Sequence, residues 1–199
     1  MTGPSHAEEV SRGIPTSVVA AARDEERARA VQRLCSTPRF RVYTNSDVPG
    51  CEIGAALKNV IAIAAGVCDG IGFGDNTKGA LLTRGLAEIS RLGAAMGGRR
   101  ETFFGLAGMG DLIATAMSRH SRNRLVGERL GRGETLEQVL GTMVMVAEGV
   151  HTARAARDLG QVHAVELPIT EQVCSILFEG KSPREALQAL MTRDLRSES

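Results

Sequence analysis

The sequence predicts a mainly α-helical protein preceded by a short α/β unit. Three observations carry this. Runs of β-branched and apolar residues suited to strands fall only within the first 46 of the 199 residues. From Asp47 onward, apolar residues recur three and four positions apart, in segments punctuated by Gly, Pro and small polar residues. The longest apolar stretch, Cys51 to Asp69, carries one formal charge between Glu52 and Asp69, that of Lys58, and a helix apolar on nearly every side is a buried one.

Taken in order, Thr16 to Ala21 reads as a buried strand and Phe40 to Thr44 as a second. Between them Asp24 to Leu34 reads as a helix with Ala28, Val31 and Leu34 on its covered face. Strand, helix, strand is one crossover unit. It opens on Gly3-Pro4-Ser5 with no strand before it, so the chain reads as starting part-way through a domain. The Lys58 helix, taken as roughly 16 residues, is too short and too charged for a membrane span of ~20 apolar residues. A glycine-rich turn, Asp69 to Asp75, leads to a long helix from Asn76 to Met96 with Leu81, Leu82, Leu86, Ile89 and Leu92 inward and Gly97-Gly98 at its end. Asp111 is placed to cap a helix Leu112 to Met117, and Ser121 to cap Arg122 to Leu130. Thr135 to Leu140, Gly149 to Leu159, Thr170 to Glu179 and Pro183 to Thr192 complete about seven helices, Pro183 in a first-turn position.

Composition narrows the function. Lys plus Arg number 24 against 23 for Asp plus Glu, which gives no basic footprint for nucleic acid and no polyanion partner. Cys35, Cys51, Cys68 and Cys174 show no C-x-x-C spacing and read as reduced, cytosolic thiols. The first ten residues lack the basic start and apolar run of a signal peptide, and the four histidines show no metal-ligand pairing.

Four stretches carry chemistry. Lys58 has Gly54, Ala55, Ile61 and Ala62 as helical neighbours, a small, apolar face that leaves room for another group to approach. It is either a structural lysine reaching for the surface or a catalytic acid or base. Asp111 and Thr115, four apart, share a helix face and together suit hydroxyl groups. Ser121, Arg122 and Asn123 stand at a helix start, where free amides, the dipole and a guanidinium favour an anion; ordinary capping with a solvated arginine is the plainer alternative. Glu148 either binds a hydroxyl or merely precedes a helix. The glycines at 70, 72 and 74, and at 105, 108 and 110, do not make a dinucleotide loop, because no strand precedes them within a βαβ unit. They read as points of close backbone approach, in a turn or beneath a small ligand.

Gly3-Pro-Ser-His-Ala7, Leu57-Lys-Asn-Val-Ile-Ala-Ile-Ala-Ala-Gly66, Gly79 to Gly85, Gly105-Leu-Ala-Gly-Met-Gly-Asp-Leu-Ile-Ala-Thr115, Ser121-Arg-Asn123 and Val146-Ala-Glu-Gly149 are segments that, in this order, resemble the bacterial NAD(P)-dependent glycerol-3-phosphate dehydrogenase family. The resemblance implies a Rossmann-domain remnant at 1–46 and, at 47–199, an all-helical substrate-binding and catalytic domain of the 6-phosphogluconate dehydrogenase C-terminal type. It implies reversible hydride transfer between dihydroxyacetone phosphate and sn-glycerol 3-phosphate, with NAD or NADP, for phospholipid synthesis. Lys58 matches the proton-transfer residue, and Asp111 and Thr115 its partners at the reacting carbon. Gly3, Ser5, Ser121, Arg122 and Asn123 match further substrate positions; Ala7, Arg122, Val146 and Glu148 match cofactor positions. A cytoplasmic homodimer without metal, nucleic acid or stable membrane insertion is also implied.

The family's glycine loop and most of its cofactor domain have no counterpart here, so the expectation is a truncated chain, inactive alone. A non-catalytic dimerisation or regulatory module, and a related hydroxy-acid dehydrogenase, are the alternatives.

Overall fold

Residues 1–143, 146–195 and 197 are described by the structure, a computed structural model. Strands β1 (Thr16–Ala21) and β2 (Phe40–Asn45) pair in parallel, with Val18 opposite Val42. Parallel pairing needs a crossover; α2 (Glu25–Cys35) supplies it, capped by Asp24, whose carboxylate accepts from Glu26 N. Alternation along the strands splits the sheet's side chains. Val18, Ala20 and Val42 pack with Cys35 and Phe40 on one side, while Val19 meets Cys51 and Ala107 of the helical part on the other. The expected covered stripe on α2 is corrected: Ala28 is buried, but Val31 and Leu34 are 36% and 85% exposed. Two strands ~4.8 Å apart are too narrow to cover three turns of helix. A single-turn helix, α1 (Ala7–Val10), precedes β1, and Thr2 exchanges backbone hydrogen bonds with Val19 across the free edge of β1.

Asp47 joins the two architectures. It caps α3 (Val48–Ile71) by accepting from Gly50 N at 3.0 Å, and it also accepts from Arg99 N at 2.8 Å and the Thr102 hydroxyl at 2.7 Å. Burial pushes this carboxyl up, but the Thr102 hydroxyl and the two N–H groups outweigh it and hold Asp47 below its usual range.

Helix α3 runs through the centre of the core and ends at Gly72, whose φ of 86° is the left-handed cap. Its 24 residues correct the expected 16, so by length and composition it is long enough to cross a membrane. Yet 72% of its most apolar window is buried inside the fold, which gives its apolar surface a protein partner. Nine helices follow Asp47 among the described residues, more than expected: α3, α4 (Asp75–Ala95), α5 (Arg100–Phe103), α6 (Asp111–Met117), α7 (Arg122–Gly131), α8 (Leu136–Gly141), α9 (Glu148–Val162), α10 (Pro168–Phe178) and α11 (Pro183–Met191). A π-helical turn, Leu106–Gly110, runs directly into α6. Single turns such as α1 and α5 are too short to show a periodic signal. Thr135 and Ser182 form capping boxes with Gln138 and Glu185. Val144 and Met145, part of the stretch around Glu148, lie outside the described residues.

Glycines bring α7 against α3 without intervening side chains. A Cβ on Gly66 would overlap the Arg124 carbonyl oxygen, one on Gly127 the Ile63 carbonyl, and one on Gly70 the Glu128 carbonyl. Gly66 and Gly70 face Arg124 and Glu128, and Ile63 and Val67 face Gly127 and Gly131, so the contacts advance by four residues on both helices, which run in the same direction with the start of α7 beside the middle of α3.

Glu88 on α4 is buried and caps α10 from outside: Ile169 N donates at 2.5 Å, and Thr170 N and the Thr170 hydroxyl at 3.1 Å.

Candidate functional site

Lys58 faces α6. Its ammonium forms an ion pair with Asp111 Oδ2; the two side chains are 18% and 5% exposed. The Thr115 hydroxyl donates to Asp111 Oδ1 at 3.4 Å, so these three residues form one cluster, in which Asp111 and Thr115 share a helix face as their spacing predicts. Two expectations need correction. Lys58 is not set among apolar groups alone, since a carboxylate has entered from 53 residues away. Asp111 does not cap α6: the backbone before it is already helical through the π turn, so its carboxylate is free to turn inward. The small residues near Lys58 serve this approach, for a Cβ on Gly54 would stand 2.9 Å from the Ala107 carbonyl of that turn.

Ser121 caps α7 as predicted, accepting from Arg124 N at 3.2 Å. Arg122 Nη1 donates to the Val146 carbonyl at 2.9 Å, and Gly149 N donates to Asn123 Oδ1 at 2.8 Å. Asn123 is 8% exposed and so fastens α7 to the start of α9. Among the described residues no carboxylate meets Arg122, and the backbone N–H groups of Arg122 and Asn123 have no protein acceptor. That is a guanidinium and two amides at the positive end of a helix, a donor set for an oxyanion. Glu148 is exposed in the first turn of α9 rather than ahead of it.

The amino-terminal segment closes on the same region. His6 Nε2 is 3.4 Å from the Ala114 carbonyl of α6, and its ring lies 6.3 Å from that of His120, next to Ser121. Gly3 is buried with φ of 127°, its missing Cβ only 3.2 Å from Val18 Cα, so it packs on β1. Ser5 is exposed and donates to the Gly3 carbonyl at 3.0 Å; Ala7 is the exposed first residue of α1.

Three neighbours escaped the sequence reading. Asn59 is buried beside Lys58, its carbonyl 2.7 Å from where a Gly149 Cβ would be; a lone amide in an apolar helix was its signal. His6 had no signal beyond its position. Asp69 was read as the start of a turn, yet it lies in α3 and takes up two cations, Lys78 and Arg124. Of the glycine groups, Gly70 and Gly108 are points of tight backbone approach, whereas nothing stands near Gly72 or Gly74. Two cavities, of about 720 and 1190 Å³, lie elsewhere, lined by none of the predicted site residues.

The family described as NAD-dependent glycerol-3-phosphate dehydrogenase C-terminus matches residues 47–188. A glycerol-3-phosphate dehydrogenase (NAD(P)+) from Salinibacter ruber is 58% identical over 197 residues, 99% of this chain and 58% of that protein. A counterpart from Geobacter sulfurreducens is 60% identical over 198 residues, covering 100% of this chain and 59% of the relative. The crystal structure of glycerol-3-phosphate dehydrogenase from Coxiella burnetii superposes with a TM-score of 0.93 at 40% identity, over 96% of this chain and 59% of that one. The chain thus spans less than two thirds of the length of each relative.

Proposed function

This chain belongs to the NAD-dependent glycerol-3-phosphate dehydrogenase family, and from that membership we propose that it supplies substrate binding and proton transfer in the interconversion of dihydroxyacetone phosphate and sn-glycerol 3-phosphate. The observation that carries the reading is the cluster of Lys58, Asp111 and Thr115, with the donor set at the start of α7 nearby.

A ketone that accepts hydride becomes an alkoxide. The Lys58 ammonium stabilises that developing charge and gives its proton to the oxygen, becoming a neutral amine; in the reverse direction the neutral amine takes the proton from the 2-hydroxyl. Asp111 holds the ammonium in place from its buried position, and the Thr115 hydroxyl orients the carboxylate. Arg122 and the first amides of α7 hold the substrate phosphate, which turns remote binding into orientation of the carbonyl.

NADH or NADPH, when bound, would supply the hydride, and NAD or NADP would take it back in the reverse direction. The residues here fit part of such a group: Arg122 keeps donors free for an anion, and Val146, Glu148 and Ala7 stand at exposed positions. The 199 residues contain no glycine loop between a strand and a helix to hold a pyrophosphate. In this reading residues 1–46 are the end of a cofactor domain and 47–199 a substrate domain. A homodimer in the cytoplasm that feeds phospholipid synthesis belongs to the same reading and rests on family likeness alone.

Calorimetric titration of the 199-residue polypeptide with sn-glycerol 3-phosphate tests it. Saturable binding that Arg122→Ala abolishes is expected, without NADH-dependent reduction of dihydroxyacetone phosphate. Absence of binding in the unsubstituted chain overturns the reading.

A further inference from the structure

Asp69 lies eleven residues beyond Lys58, so three turns further along the same face of α3. The proposed chemistry makes no use of it. Its side chain is 14% exposed and takes Lys78 of α4 on one oxygen and Arg124 of α7 on the other, with Arg124 Nε and Nη2 both at 2.7 Å.

We propose that Asp69 is a positioning residue for the anion-binding end of the site: by anchoring Arg124 it sets the rotation of the first turn of α7, and with it the direction of Arg122 and the two open amides. This rests on the reading of that turn as the phosphate site.

Four observations support it. Arg124 is where the first turn of α7 meets the helix that carries Lys58, its carbonyl packed on Gly66 and its N–H bonded to the Ser121 cap. The contacts made by Gly66, Gly70 and Gly127 set how closely α7 approaches α3, but they are backbone to backbone and carry no directional bond. The other anchors of the turn, Asn123 to Gly149 and Arg122 to Val146, lead to α9 and its approach, not to α3. Glu128, also bonded to Arg124, belongs to α7 itself and cannot fix it to anything else. A substrate that touches Lys58 and Arg122 together must match the separation between α3 and this turn. Among the described residues the directional link between them is Asp69 to Arg124.

The test is calorimetric binding of sn-glycerol 3-phosphate to the full chain, held well below each variant's unfolding midpoint so that stability does not enter. Asp69→Asn is expected to weaken binding at least tenfold, Arg124→Gln by a similar factor, and the double variant no further than either. Lys78→Met removes the α4 partner alone, and Arg129→Gln breaks the ion pair to Glu134 further along α7; both are expected to stay within threefold. Should Asp69→Asn not fold, Asp69→Glu keeps the charge but shifts it by one methylene and is expected to lose at least threefold. Unchanged affinity in the Asp69 and Arg124 variants overturns the inference, as does equal loss in the two controls. No binding by the unsubstituted chain is a different failure, that of the phosphate site itself.

Discussion

The ammonium of Lys58 and the carboxylate of Asp111 come from helices 53 residues apart in sequence and meet as an ion pair in which the carboxylate is the more deeply buried partner. Removing one member of such a pair leaves the other uncompensated, at a cost of about 3 kcal/mol. Lys58→Met should therefore lower the urea midpoint. Adding Asp111→Asn should restore most of that loss, while turnover in a holoenzyme carrying this chain stays about a thousandfold down. Near-normal turnover in either variant would remove Lys58 from proton transfer.

Two glycines should respond in opposite directions to the same substitution. Gly66→Ala drives a methyl into the Arg124 carbonyl and should destabilise by about 3 kcal/mol, because backbone on both sides blocks relaxation. Gly79 sits inside α4 with nothing within 4 Å of the added Cβ, so Gly79→Ala should stabilise by about 0.5–1 kcal/mol. Thermal melts of the two variants side by side decide the matter.

Glu88 should make stability depend on pH. Burial raises its carboxyl from 4.5 to about 7, against the pull of the Ile169 and Thr170 N–H groups, the Thr170 hydroxyl and Arg91. The folded state then binds the proton more tightly than the unfolded chain. Its contribution is fully present below pH 4.5 and is lost as pH rises through 7, about 3 kcal/mol in all. Glu88→Gln should flatten the fall in stability between pH 5 and 7, measured by urea unfolding at half-unit steps. An unchanged slope would assign the dependence to other groups.

Arg122 should take an oxyanion. Crystals grown in sulfate or phosphate should show density bridging its guanidinium and the amides of Arg122 and Asn123, and Arg122→Ala should lose it. Refinement with Arg122 turned onto a buried carboxylate would count against the phosphate site.

What could be read from the sequence alone is what depends on residues within about four positions of one another. β1 falls at Thr16–Ala21 as predicted, because a β-branched run bounded by polar residues needs no partner to be recognised. Ser121 caps α7, and Pro183 opens α11, for the same reason: a cap is completed inside its own first turn. Lys58 stood out as one charge in an apolar helix, and the spacing of Asp111 and Thr115 put them on one face. The tertiary structure decided which groups meet. It turned Asp111 from an expected cap into the partner of Lys58, because a π turn made the preceding backbone helical. It showed Gly66 and Gly70 as contacts with α7, and gave Asp69 and Glu88 donors from other helices, Glu88's arriving from 81 and 82 residues away. Such pairings follow from how helices pack, and helical periodicity says which face of a helix is covered without saying what covers it.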